Sequence, residues 1–138
     1  MPETTVAAII TRSDDATRIL LTRRGIPPFE GRWCLPGGHI DRFEAARVAV
    51  IREVKEETEL DFEARFYRYF DEIIAEREIH AVVLAFEGVG TGDLVPSEWE
   101  VSEIAWFPLE EACALPLAFT HNEVLDAYAA RLQEAGTE

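Results

Sequence analysis

A chain of 138 residues with a net charge of −14, 48% hydrophobic and 29% charged, has the make-up of a soluble globular domain with a real core. The acid excess argues against nucleic-acid polymers and anionic membranes as partners, because both need a basic face. Small phosphorylated ligands remain open to it wherever a cation mediates the contact.

Val6–Ile10 and Arg18–Arg23 are short β-branched and leucine-rich runs separated by the polar turn "TRSDDAT", and they predict a hairpin. The Pro/Gly loop "GIPPFEG" leads to a brief strand at Trp33–Leu35, which Pro36-Gly37-Gly38 ends. Helical spacing runs from about Phe43 to Leu60. Ala64–Ile73 and Ile79–Glu87 read as longer strands, "EGVGTGDLVPSE" as a glycine-rich loop, and Ile104–Phe107 as another strand. "PLEEACAL" suggests one short helical turn. Thr120-x-x-Glu123 has the pattern of a capping box opening a second helix, with Val124, Leu125, Tyr128, Ala129 and Leu132 as its apolar stripe. "QEAGTE" reads as a frayed tail. The order is mixed β with two main helices, an α+β or α/β fold in one domain over residues 1–138.

Cys34 and Cys113 form no C-x-x-C pair and are expected as free thiols in a reducing compartment. "MPETTVAAII" lacks the basic region and long apolar stretch of a signal peptide, and no apolar run approaches the ~18 residues of a membrane span. A cytoplasmic location is the expectation.

One stretch breaks local rules. Glu53, Glu56, Glu57 and Glu59 crowd two turns near the end of the first helix. Glu56 and Glu57 fall about 60° and 40° to either side of Glu53, so the three share one face. Backwards, that face continues through Ala45, Ala46, Ala49 and Val50, small side chains suited to close packing on a sheet. Like charges at these spacings oppose the helix by about 0.2–0.5 kcal/mol per pair, and the helix dipole disfavours anions at this end. A solvated acidic face is one reading. A cluster of hard oxygen ligands for Mg²⁺ or Mn²⁺ is the other, with zinc disfavoured because no histidine or cysteine stands nearby in sequence. Gly37 and Gly38 would let the backbone approach a ligand, and a carbonyl there could complete a metal shell. Arg52 could orient one of the carboxylates, or merely form a surface ion pair.

Together these residues resemble the Nudix hydrolase signature, G-x5-E-x7-R-E-U-x-E-E-x-G-U, with U a bulky apolar residue. Here it reads Gly38, Glu44, Arg52-Glu53-Val54, Glu56-Glu57, Glu59 and Leu60. Only the final glycine departs, replaced by Glu59. Glycine there suits the left-handed residue that closes a helix, and glutamate makes that conformation cost roughly 1 kcal/mol. The resemblance implies an α/β/α sandwich with a mixed sheet between helices, and metal-dependent hydrolysis of a nucleoside diphosphate linked to another moiety. It implies Glu53 and Glu57 as principal Mg²⁺ (or Mn²⁺) ligands, with Glu56 and Gly38 in the metal site and Glu44 and Arg52 in support. The family varies its general base. Glu98, Glu100 and Glu103 lie in the corresponding loop here, and Glu100 is the choice.

The flanks "RRGIPPFEGRWCLPGG" and "LPLAFTHNEVL" look similar to the ADP-ribose pyrophosphatase-like branch. Hence the expected substrate is ADP-ribose or a related nucleotide sugar, with Gly88–Glu98 as a loop long enough to cover the second moiety. Canonical or oxidised nucleoside triphosphates are the alternative. Arg23 and Arg24 could meet phosphates beside Gly37, and Phe29, Trp33 or Phe119 could stack on a base. His121 reads as structural. Some Nudix-like domains sense ADP-ribose without hydrolysing it, a non-enzyme alternative. A homodimer is a further possibility.

Overall fold

The computed structural model describes residues 1–95 and 100–136. In chain order these form β1 (Glu3–Arg12), β2 (Asp15–Arg24), β3 (Trp33–Cys34), β4 (Gly37–His39), α1 (Ala46–Thr58), β5 (Asp61–Phe62), β6 (Arg65–Ile74), a 3₁₀ turn (Ala75–Arg77), β7 (Ile79–Thr91), β8 (Val101–Pro108), α2 (Leu109–Ala114) and α3 (His121–Gly136). The sheet runs β3-β2-β1-β7-β5, with β4 added on β1, β6 on β7 and β8 on β2. It is mixed, because β1 and β7 pair in parallel while the other pairs are antiparallel.

The strand period of two sorts β1 between two cores. Val6, Ala8 and Ile10 pack with Ala49, Val50 and Val54 of α1. Ala7 and Ile9 point the other way, against Ala112 of α2 and Val124 and Leu125 of α3. That is the expected α/β/α sandwich. Ala49, Val50 and Val54 are completely buried, so the small face of α1 seats the helix close to β1. Among the described residues no helix is long and apolar enough to cross a membrane. Cys34 and Cys113 are free thiols.

Several boundaries differ from expectation, each for a local reason. α1 is shorter than Phe43–Leu60. Phe43 has a left-handed backbone (φ 65°) and is 95% exposed, and Ala45 is the exposed N-cap, so neither joins the buried stripe. Gly37–His39 is itself a strand, since a side chain at Gly37 would strike the Val6 carbonyl oxygen across the pair. The first four residues of the expected loop after Glu87, Gly88–Thr91, are the end of β7. Gly88 and Gly90 are needed there because a Cβ would collide with the Glu63 carbonyl at the first and with Ile10 at the second. Glu98 lies outside the described residues.

The capping box at Thr120 does not form. The Thr120 hydroxyl and backbone N–H both donate to Glu72 of β6 (2.9 and 3.2 Å), while the Glu123 N–H bonds the Thr120 carbonyl. In α3, Val124, Leu125 and Tyr128 are buried as expected, but Leu132 is 41% exposed. The helix continues through Gln133–Gly136, so most of the expected frayed tail is helical, and Thr137 and Glu138 lie outside the described residues.

Glu59 takes the left-handed conformation at the C-cap (φ 66°, ψ 3°), its N–H bonded to the Lys55 carbonyl. Glu59→Gly should therefore raise stability by only about 0.5 kcal/mol, the relief of the left-handed penalty less the entropy glycine adds to the unfolded chain. Urea midpoints at constant m-value check this, and an unchanged or lower midpoint contradicts it.

Candidate active site

A cleft of about 490 Å³ is lined by residues of β1, β2, β4, β6 and β7 together with Phe119 and His121, and both Glu53 and Glu57 line it. Their helix lies on the face of the sheet opposite α3. They reach the cleft past β4, where the missing side chains make the passage. A Cβ on Gly38 would lie 2.7 Å from the Glu53 carboxyl carbon. The Gly37 N–H donates to Glu57 Oε2 (2.9 Å). The glycine pair thus works as a cradle for two carboxylates, which no single-element reading of the helix contains.

The two carboxylates are electrostatically strained. Burial pushes the Glu57 carboxyl well above the ordinary range, and the charge of Glu53 adds to this, opposed by the Gly37 hydrogen bond. Burial also raises Glu53, countered by Arg52. Glu100 lines the same cleft and its charge raises both. Arg52 ties the rest together. Its Nε donates to Glu44 Oε2 (2.7 Å), its Nη1 to Glu53 Oε1 (3.0 Å) and Glu56 Oε2 (3.1 Å), and its Nη2 to the His39 carbonyl (3.2 Å). The Arg52 guanidinium holds the Glu44 carboxyl down at about 2, and the Asp41 N–H to Glu44 Oε1 (2.9 Å) fixes its other oxygen. Arg52 is therefore a charge-assisted hub between the loop and the helix. Glu56 stands apart, 60% exposed and engaged by Arg52.

The donor set fits a hard divalent cation. Glu53 and Glu57 offer carboxylate oxygens in a partly buried site where uncompensated negative charge is costly. Among the described residues no three histidine, cysteine or acidic side chains converge as a ready cage. Glu56 would have to exchange its contact with Arg52 to join.

The expected phosphate and base contacts divide. Arg24 lines the cleft, its Nε donating to the Pro28 carbonyl (2.6 Å) and its guanidinium 4.9 Å from the Phe119 ring centroid. Arg23 points away, donating to Glu103 Oε1 (2.9 Å) and the Gly31 carbonyl (2.9 Å). The β2–β8 pairing shifts register between the two, Arg23 opposite Glu103 and Arg24 opposite Val101, and only Arg24 reaches the cleft. Phe29 is one step removed. It packs edge-on against Phe119 (5.1 Å) beneath Arg77 and does not line the cleft, whereas Phe119 does. Trp33 belongs to the core against Phe107. His121 is buried, and its Nδ1 accepts the Leu35 N–H (3.0 Å). Burial lowers its pKa to about 4, so it stays neutral. Glu72 had no signal in the sequence, being an acidic residue in an alternating strand, yet it is 4% exposed and lines the cleft.

The NUDIX domain family matches residues 1–128. The chain belongs to the Nudix hydrolase family, a class of enzymes acting on pyrophosphate bonds. It is 33% identical to a protein named as mutator protein MutT4 of Mycobacterium tuberculosis over 95% of its own length, and spans about half (51%) of that relative. It is 30% identical to an ADP-ribose pyrophosphatase of Methanocaldococcus jannaschii, covering 92% of this chain and 73% of that one. The Nudix domain of Shewanella oneidensis NrtR, solved in complex with ADP ribose, superposes with a TM-score of 0.83 at 26% identity, covering 96% of this chain and 89% of that one.

Proposed function

We propose that the chain hydrolyses the pyrophosphate of ADP-ribose or a related nucleotide sugar to a nucleoside monophosphate and a sugar phosphate, with Mg²⁺ or Mn²⁺. The observation that carries this is the pair Glu53 and Glu57, cradled by Gly37-Gly38 in a cleft whose only arginine, among the described residues, is Arg24. Arg12, Arg18 and Arg23 are paired with Asp14, Asp15 and Glu103. This favours a diphosphate diester over a triphosphate, which brings more charge.

Glu53 and Glu57 would hold the cation, which when bound offsets phosphate charge and lowers the pKa of a water. Glu100, in the same cleft, accepts the proton of the attacking water. The water oxygen bonds to phosphorus as the bridging P–O bond breaks, and the bridging oxygen leaves with the other phosphate. Arg24, which lines the same cleft, orients the diphosphate. Arg52 and Glu44 keep Glu53 in position and touch no reacting atom. A cytoplasmic location fits a free-thiol protein with such a substrate.

The test is a product assay over ADP-ribose, other nucleotide sugars, dinucleoside polyphosphates, and canonical and oxidised triphosphates. ADP-ribose or another nucleotide sugar should have the highest kcat/KM. A triphosphate preferred more than about tenfold over ADP-ribose, about 1.4 kcal/mol in transition-state terms, overturns the assignment.

A further inference from the structure

Glu72 is a buried carboxylate that none of the steps above employs. Its Oε2 is saturated by the Thr120 hydroxyl and N–H. Its Oε1 takes no hydrogen bond among the described residues, yet it is not sealed from solvent. The residue lines the cleft, so Oε1 opens there. The clamp is built at some expense. Phe119, which precedes Thr120 and also lines the cleft, holds a left-handed backbone (φ 56°), a strained conformation for a bulky residue.

The register of the sheet places this acceptor far from the metal-binding carboxylates. Glu72 pairs with Ala81, and Ala81 with Glu3, while Gly38 pairs with Val6. Three strand spacings across and three residues along put the two backbones about 17 Å apart. An extended nucleotide reaches from its pyrophosphate to the far edge of its base over a comparable span. Two carboxylates, Glu72 and Glu3 (the latter bonded to His39 Nε2, 2.8 Å), make this end a poorer seat for phosphate than the Arg24 guanidinium, which stands over the Phe119 ring. The neighbouring walls are Ile79, Ala81 and Phe119. Such walls suit the flat apolar face of a base, which needs only one or two hydrogen bonds at its edge.

We propose that Glu72 selects an amino-bearing nucleobase, its open oxygen accepting a hydrogen bond from the exocyclic N–H. The proposal rests on the reading of this cleft as a nucleotide site. A base lacking the donor would leave a desolvated carboxylate oxygen unpaired, the situation in which a site discriminates strongly.

The test separates binding from turnover. Calorimetry with Mg²⁺ measures the affinity of ADP-ribose carrying a methylene bridge in its pyrophosphate, and of the same compound with purine in place of adenine. Wild type should bind the adenine compound at least about tenfold more tightly. In Glu72→Gln the amide oxygen keeps Thr120 and the amide N–H₂ faces the cleft, so the ratio should fall to one or below. Equal affinities in wild type overturn the proposal without any variant. So does a Glu72→Gln protein that weakens both compounds alike and keeps the ratio, since that is the mark of a merely structural carboxylate. If the ratio holds but ADP-ribose is not hydrolysed, the inference stands and the proposed reaction fails.

Discussion

Replacing Glu57 with glutamine, and separately Glu53, should lower kcat by at least about a hundredfold, the scale of losing a metal-holding or proton-transferring group. The fold should survive. A glutamine oxygen at 57 can still accept the Gly37 N–H, and the variant removes a charge that burial disfavours. The sign of the stability effect follows from the direction of the shifts. A carboxyl raised in the folded state favours folding while protonated, and that contribution is lost as the pH rises through its folded value. At neutral pH without metal, Glu57→Gln should therefore melt at or above the wild-type temperature. Below the ordinary carboxyl value of about 4 the advantage should vanish, since wild type is then protonated in both states. Near-wild-type kcat in both variants refutes the assignment, and a melting temperature well below wild type would show that the loss was structural. Glu56→Gln should lose less, because Glu56 is exposed and held by Arg52.

Removing divalent metal should abolish turnover. With excess EDTA, hydrolysis should fall to background and return on adding Mg²⁺ or Mn²⁺, because a strongly acidic cleft cannot otherwise admit a pyrophosphate. A second readout does not depend on activity. Metal at a hundredfold its dissociation constant should stabilise the folded chain by about 2.7 kcal/mol, visible as a rise in melting temperature. Glu57→Gln should lose most of that rise. Undiminished turnover in EDTA, or an equal thermal response in the variant, contradicts the site.

Much of this was legible in the sequence because the relevant physics is local. The hydrophobic spacing of β1, β2, β6 and α3 survives in the structure with shifted ends. The Glu59 substitution announced its own geometry, since it stands where the signature has the glycine of a left-handed helix end, and α1 closes there in that conformation. The acidic face of α1 also showed itself, as three carboxylates within about 100° of arc on an otherwise small-residue face.

What failed was whatever depended on a partner distant in the chain. Gly37-Gly38 reads as a turn in isolation, and becomes a strand only because β1 lies beside it. Gly88 and Gly90 look like loop glycines until Glu63 and Ile10 press against them. Thr120 carries a capping signature, but Glu72 captures its hydroxyl from 48 residues away. Arg23 and Arg24 are equivalent in sequence, and only the pairing of β2 with β8, which shifts register between them, sends one to the cleft and the other to Glu103.

The sequence by itself determined the chemistry available, because carboxylate spacing on a helix and glycine before it are properties of a short segment. Tertiary structure alone decided which groups share one cleft. Glu53 and Glu57 from one face of the sheet, and Arg24, Glu72, Glu100 and Phe119 from separate elements, meet only when the sheet assembles. Such meetings follow from strand register and burial, which no single segment encodes.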